Sequence, residues 1–268
     1  MRDRKPPEDL TVRFAPWASE LPVRLYLRAG EIHLWAWEVD RAAHDIACLT
    51  RLLSADELDR AATFRAARDQ TRFVAARGIM RELLGRYCGR PADALRFIYG
   101  AHGKPTLAGP GPHFSVSRRD NLSVMAVSES AAVGVDIERL ALLPDAAAIL
   151  RENASAAEIL AYTRLPAEQR DQSFYCWWTR KEAVVKAHGG GLSIPLNGFD
   201  VPMDVQLTGT NGSLVQGPGG VWTLRHLCPR EDYLGALAMG HSLPTLKAWY
   251  FRGDWLRQKG VEPHERQD

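Results

Sequence analysis

Residues 171–188 read as one well-packed helix, because Phe174, Trp177, Trp178, Val184 and Val185 cover a broad apolar face and not a narrow stripe. Within it runs Trp178-Thr179-Arg180-Lys181-Glu182-Ala183-Val184-Val185-Lys186. Glu182 and Lys186 are one turn apart and share a face. They either form a plain ion pair, worth about 0.2–0.5 kcal/mol on an exposed helix, or border a cleft. Lys181 falls among the aromatics, so its ammonium must reach water or meet an anion. The run Gly189-Gly190-Gly191 gives the helix its exit, and one glycine would suffice as a C-cap.

A second segment, Val133-Gly134-Val135-Asp136-Ile137-Glu138, alternates in the manner of a strand. Val133, Val135 and Ile137 would bury one face, and Asp136 and Glu138 would stand together on the other. Two carboxylates side by side repel unless a cation lies between them. A hard divalent ion such as Mg²⁺, shared with substrate phosphates, suits such a pair. A solvated outer strand face would also carry two acids.

Around these segments the chain reads as alternating helices and strands. Ile32–Val39 is predicted as a strand with Trp35 and Trp37 on one face. Ser54-Ala55-Asp56-Glu57 has the spacing of a capping box, so a helix should start there and run to about Phe64. A longer helix is predicted from about Asp69 to Tyr87, ended by Gly89. His113–Ser117, Leu122–Val127 and Ala132–Glu138 read as consecutive strands, the last two joined as a hairpin through Ser128-Glu129-Ser130. Helical character returns from about Ala146 to Leu160, and Phe199–Phe251 reads as strand-rich with a turn at Asn211-Gly212. Residues 1–20 are expected to form a loose arm, 21–131 and 132–256 two halves, and 257–268 a polar tail. The halves echo each other weakly, since each has a long helix ending at a glycine.

Composition narrows the function classes. A net charge of only +2 gives no general basic field for nucleic acid. No apolar run is long enough to span a bilayer, and Met1–Pro7 lacks the apolar core of a secretory signal. The four cysteines, Cys48, Cys88, Cys176 and Cys228, show no metal-ligand spacing and fit reduced thiols in a cytoplasmic protein. Positive charge is mostly arginine. Lysine is rare enough that Lys104, Lys181 and Lys186 stand out, each in a motif-like segment.

The third such segment is Gly103-Lys104-Pro105-Thr106-Leu107, followed by Phe114-Ser115-Val116-Ser117-Arg118-Arg119. Ser117 and Arg118 at a strand end could hold phosphate oxygens. Arg60, Arg72, Arg77 and Arg81 add positive charge along the helical region.

In order and spacing, GKP-x-L, F-x-x-S, GVDIE and WTRKEAVVK with its glycine run resemble the 4′-phosphopantetheinyl transferases. The likeness is to the larger monomeric type that activates nonribosomal peptide and polyketide synthases. It covers roughly Leu53–Val201, with a weaker echo in Gly235-Ala236-Leu237-Ala238-Met239. The resemblance implies an α+β fold of two similar α/β halves with pseudo-twofold symmetry and an active site at their interface. It implies transfer of the phosphopantetheine arm of coenzyme A to a serine of an apo acyl or peptidyl carrier protein, with release of adenosine 3′,5′-bisphosphate.

By the same resemblance, Asp136, Glu138 and Glu182 would hold Mg²⁺, Glu182 would take the serine proton, and Lys186 would stabilise the pyrophosphate. Gly103, Lys104, Ser117, Arg118 and Arg60 would contact coenzyme A. The family's usual histidine is replaced here by Arg118, which can bind phosphate bidentately but cannot act as a neutral acceptor. A non-catalytic coenzyme A-binding protein on the same fold and a Mg²⁺-dependent phosphohydrolase are the competing readings. Intact Asp136, Glu182 and Lys186 weigh against the first of them.

Overall fold

The computed structural model describes residues 11–17, 21–42, 45–204, 212–240 and 244–251. The expected tail from residue 257, most of the expected arm, and Asn211 of the Asn211-Gly212 turn lie outside these. In chain order the elements are β1 (Val12–Arg13), β2 (Ala15–Pro16), β3 (Glu31–Glu38), α1 (Val39–Ala42), α2 (Ile46–Thr50), α3 (Ala55–Ala62) and α4 (Ala67–Cys88). A small hairpin, β4 (Phe97–Tyr99) and β5 (Pro105–Leu107), precedes β6 (His113–Arg119), β7 (Leu122–Ser128) and β8 (Val133–Arg139). Then come α5 (Ala146–Asn153), α6 (Ala156–Thr163), α7 (Ala167–His188), β9 (Ser213–Gly217), β10 (Gly220–Arg230), β11 (Tyr233–Gly240) and β12 (Thr245–Phe251).

The long strands form two sheets, and the fold is a mixed α/β arrangement. The first sheet runs β2-β12-β3-β7-β6; in the second, ordered β1-β10-β11-β8, β9 also pairs with β10. Strand alternation builds the layers. On β3, Trp35 and Trp37 point to a core shared with Val74, Ile79, Leu83 and Leu84 of α4. Leu34 and Ala36 point the other way, into a core formed with Val133, Val135, Ile137 and Leu237 of the second sheet. The far face of the second sheet, through Leu224, Leu234 and Ala236, packs on Trp177, Ala183 and Val184 of α7. The sheets therefore lie against one another, with α4 outside one and α7 outside the other.

Each long helix begins and ends where its local chemistry dictates. Ser54 opens α3, its N–H donating to Glu57 Oε2 at 3.0 Å. Gly89 and Gly189 close α4 and α7 at φ of 61° and 88°, left-handed values that favour glycine. The helical stretch expected from Ala146 to Leu160 is two helices, because Ser155 and Glu158 form a second capping box that restarts the chain.

The expected hairpin of Leu122–Val127 with Ala132–Glu138 does not form. Both edges of β7 are taken, by β3 and by β6, and β8 pairs instead with β11. The aliphatic face of β8 stacks over Leu122, Val124 and Ala126 of β7, so the short link crosses between sheets. The sheets also do not divide at residues 131/132. Val12–Arg13 pairs with β10 of the second sheet, and Thr245–Phe251 lies parallel to β3 in the first.

Candidate active site

The site is made where β8, an edge strand of the second sheet, meets β6, an edge strand of the first. An edge strand leaves half of its N–H groups without a ladder partner. Serine hydroxyls of β6 satisfy two of them: Val135 N–H donates to Ser115 Oγ at 3.1 Å, and Ile137 N–H to Ser117 Oγ at 3.3 Å. The same face of β8 carries Gly134, Asp136 and Glu138 toward α7. Gly134 has no room for a side chain, since an added Cβ would sit 2.0 Å from Ala183 O. This close approach seats Glu182 and Lys186, on either side of Ala183, beside Asp136.

Asp136 is buried and is the centre of the cluster. Its Oδ1 accepts from Lys186 Nζ at 2.6 Å and from Ser117 Oγ at 2.8 Å, and Lys186 Nζ also reaches Ser117 Oγ at 3.2 Å. Its Oδ2 is buried with no hydrogen-bond partner among the described residues. Glu182 titrates above the ordinary carboxylate range, chiefly because it is buried and then because Asp136 is near, with Lys186 opposing. Glu138 is also pushed up, first by burial, against the pull of Arg119, whose Nε lies 3.0 Å from Glu138 Oε2. Among the described residues no three His, Cys, Asp or Glu side chains converge tightly enough to enclose a metal. The bare Oδ2 of Asp136 and the crowding of Glu182 by Asp136 nevertheless fit an oxygen-ligated cation.

The other sequence candidates are dispersed. Arg118 is exposed on β6 near Arg72 and Asp69, and its pKa is lowered first by desolvation and then by the neighbouring Arg72. Arg72 itself is committed to Asp40 through two 2.7 Å bonds. Arg60 stands exposed on the last turn of α3. Gly103 holds the turn of the β4–β5 hairpin at φ 78°. Lys104 points not into the carboxylate cluster but onto backbone carbonyls, those of Lys186 at 2.5 Å, Ala187 at 3.2 Å and Val133 at 3.3 Å. Arg77 and Arg81 both pair with buried Glu57, holding α3 against α4.

Lys181 meets its anion. Its Nζ lies 2.9 Å from Glu158 Oε1, donates to Leu196 O at 2.7 Å and to Phe199 O, and sits over the Phe199 ring. The pair ties α7 to α6 and to the segment after the glycine run. Ser115 and Arg119 are the contributors that motif reading passed over. Ser115 lies two residues before Ser117, on the same face of a strand, and that spacing was the available signal.

A family model described as the 4′-phosphopantetheinyl transferase superfamily matches residues 132–238, the span from β8 to β11 that contains Asp136, Glu182 and Lys186. The 4′-phosphopantetheinyl transferase HetI of Nostoc sp. is 32% identical over 234 residues, covering 86% of this chain and 96% of HetI. A putative 4′-phosphopantetheinyl transferase of Synechocystis sp. is 31% identical over 167 residues, 61% of this chain and 67% of that protein. The 4′-phosphopantetheinyl transferase Sfp of Bacillus subtilis is 28% identical over 153 residues, 56% of this chain and 66% of Sfp. With a likeness that runs almost the full length of HetI, and with the paired GVDIE and WTRKEAVVK segments meeting in space, the chain belongs to the 4′-phosphopantetheinyl transferase superfamily, among its larger, Sfp-like members.

Proposed function

We propose that this chain transfers the 4′-phosphopantetheine arm of coenzyme A to a serine hydroxyl of an apo acyl or peptidyl carrier protein. The observation that carries the reading is Asp136, with Lys186 and Ser117 on one oxygen, the other oxygen bare, and Glu182 nearby, its proton affinity raised by burial and then by Asp136. In the reaction the carrier serine oxygen bonds to the β-phosphorus of the coenzyme A pyrophosphate. The bond from that phosphorus to the bridging oxygen breaks, and adenosine 3′,5′-bisphosphate leaves with the bridging oxygen.

Glu182 takes the serine proton, directly or through one water. Its raised affinity for a proton suits that task, because a base is most effective when its pKa lies near the working pH. Lys186, already at the cluster through Asp136 and Ser117, places a positive charge where the leaving phosphate accumulates negative charge. Arg118 supplies a second cation from β6, and Ser117 holds Asp136 in orientation. Asp136, Glu138 and Glu182 are the residues that would hold Mg²⁺, which when bound neutralises pyrophosphate charge. Arg60 remains a candidate for the 3′-phosphate.

We read the two halves as related by a pseudo-twofold axis, supported by two 22-residue helices, α4 and α7, each closed by a left-handed glycine. We read the chain as working as a cytoplasmic monomer on carriers of peptide or polyketide synthesis. The test is incubation with coenzyme A, Mg²⁺ and a panel of apo carriers, followed by intact mass measurement. A phosphopantetheine mass gain is expected on at least one carrier serine, and none on any carrier would reject the transferase reading.

A further inference from the structure

Two motifs of the sequence, the Gly103-Lys104-Pro105 turn and the Gly189-Gly190-Gly191 run, come together at the exit of α7. The β4–β5 hairpin belongs to the first half, and its tip is a tight turn in which Gly100 N–H donates to Lys104 O at 3.0 Å and Gly103 N–H to Gly100 O at 2.9 Å. The tip seats on the exit of α7. Gly191 has no space for a side chain, because an added Cβ would lie 2.4 Å from His102 Cβ, and Ser193 Oγ is 3.3 Å from His102 Nε2. The stem of Lys104 passes over Gly189, where a Cβ would be 3.6 Å from Lys104 Cδ. Beyond the stem, the ammonium meets the carbonyls of Lys186 and Ala187 in the last turn of α7, and that of Val133 at the start of β8.

We propose that Lys104 is a positioning residue for the transfer reaction, and that the hairpin tip of one half clamps the last turn of the helix that carries Lys186 in the other. Three features support this. The last carbonyls of a helix lack intrahelical partners, and a cation there both satisfies them and complements the helix dipole. One of the three carbonyls belongs to Lys186 itself, so the clamp fixes the backbone from which Lys186 Nζ reaches Asp136 and Ser117. The third carbonyl, Val133 O, lies one residue before Gly134, so the same ammonium ties helix to strand at the point of their closest approach. An ammonium with all three donors directed at backbone carbonyls has none left for a phosphate.

The inference rests on the transferase reading for its kinetic arm, and its second arm is independent of activity. Lys104→Met and the milder Lys104→Gln are compared with wild type in steady-state transfer and in amide hydrogen exchange of the folded protein. For Lys104→Met, kcat should fall by about 10–100-fold, since a displacement near 1 Å of a reacting group costs on the order of 10². KM for coenzyme A should stay within about twofold, and exchange across 183–194 should quicken by about tenfold or more, a loss of roughly 1.4 kcal/mol in local protection. Lys104→Arg, which keeps a cation with several donors, should recover part of both. A rise in KM for coenzyme A with kcat and exchange unchanged would overturn the proposal and make Lys104 a phosphate ligand. A wild-type protein that modifies no carrier would reject the transferase reading, and the exchange comparison would still decide the clamp. If Lys104→Met does not fold, Lys104→Gln carries the same two outcomes.

Discussion

Replacing Gly134 with alanine adds a single methyl at the point where α7 rests on β8. That methyl would lie 2.0 Å from Ala183 O, 2.3 Å from Ala187 N and 2.9 Å from Ala187 Cα. Comfortable contacts begin near 3.5 Å, so helix and strand must separate by roughly 1–1.5 Å. The obstacles are backbone atoms of a helix, which cannot rotate away as a side chain would. Overpacking of this kind costs about 1–3 kcal/mol and occasionally more, and rigid neighbours on both sides place this case at about 3 kcal/mol or above. For a chain of this size the expected fall in Tm is roughly 6–12 °C.

The same displacement lifts Glu182 and Lys186 away from Asp136, so kcat at a temperature well below Tm should drop on the order of 10²-fold. Gly240→Ala is the control, because among the described residues an added Cβ there meets nothing within 4 Å. Circular dichroism melts and the mass of the product carrier measure the two effects. A Gly134→Ala protein with Tm within about 1 °C of wild type and turnover within about twofold would refute the steric argument.

Lys181→Met leaves Glu158 buried without its cation, and should cost about 3–5 kcal/mol in urea unfolding; adding Glu158→Gln should recover part of the loss, and an additive double variant would contradict the coupling. Glu182 holds its proton more tightly in the folded state than its ordinary value of 4.5 implies, so folding is penalised as pH rises through 4.5 to the raised value. Glu182→Gln should therefore be more stable than wild type at neutral pH, with the difference closing below pH 4.5; a pH-independent difference in Tm would count against it. Dialysis against a chelator should abolish transfer and added Mg²⁺ restore it, and a full rate in chelator would exclude the divalent ion. Arg118→Ala should weaken coenzyme A binding, and an unchanged titration would remove Arg118 from the site.

Local signals were the legible ones. The capping box at Ser54 and Glu57 and the left-handed glycines 89 and 189 mark helix ends because the responsible groups lie within a few residues of each other. Ser155 and Glu158 carry the same signature and explain why α5 and α6 are separate helices. Alternation in Val133–Glu138 foretold which side chains share a face, but not which strand would lie alongside. Pairing depends on edges made by distant segments, and β7 had none free.

In the site, the helix and strand periods put Glu182 with Lys186 and Asp136 with Glu138, and the family resemblance is what joined the two pairs in one site. The partners of Lys104 and Lys181 were not readable, since one finds the carbonyls of a helix more than eighty positions later and the other a carboxylate on the adjoining helix. Arginines that read as a positive surface, Arg72, Arg77 and Arg81, are instead paired with Asp40 and Glu57.

The crossing of the terminal strands bears on how the chain can be made. Among the described residues β3 gains its parallel neighbour from Thr245–Phe251, and β10 receives β1 from Val12–Arg13. As the polypeptide leaves the ribosome, the first sheet presents an open, largely apolar edge until residue 251 has emerged. At about 5–20 residues per second, the stretch from residue 131 to residue 251 takes on the order of ten seconds to synthesise. Completion of the first sheet therefore comes late, and the step that closes it joins residues more than two hundred positions apart. A fragment ending near residue 131 carries the helix α4 and most of its core, yet lacks the strand that seals it, and should accumulate in aggregates where the full chain stays in solution.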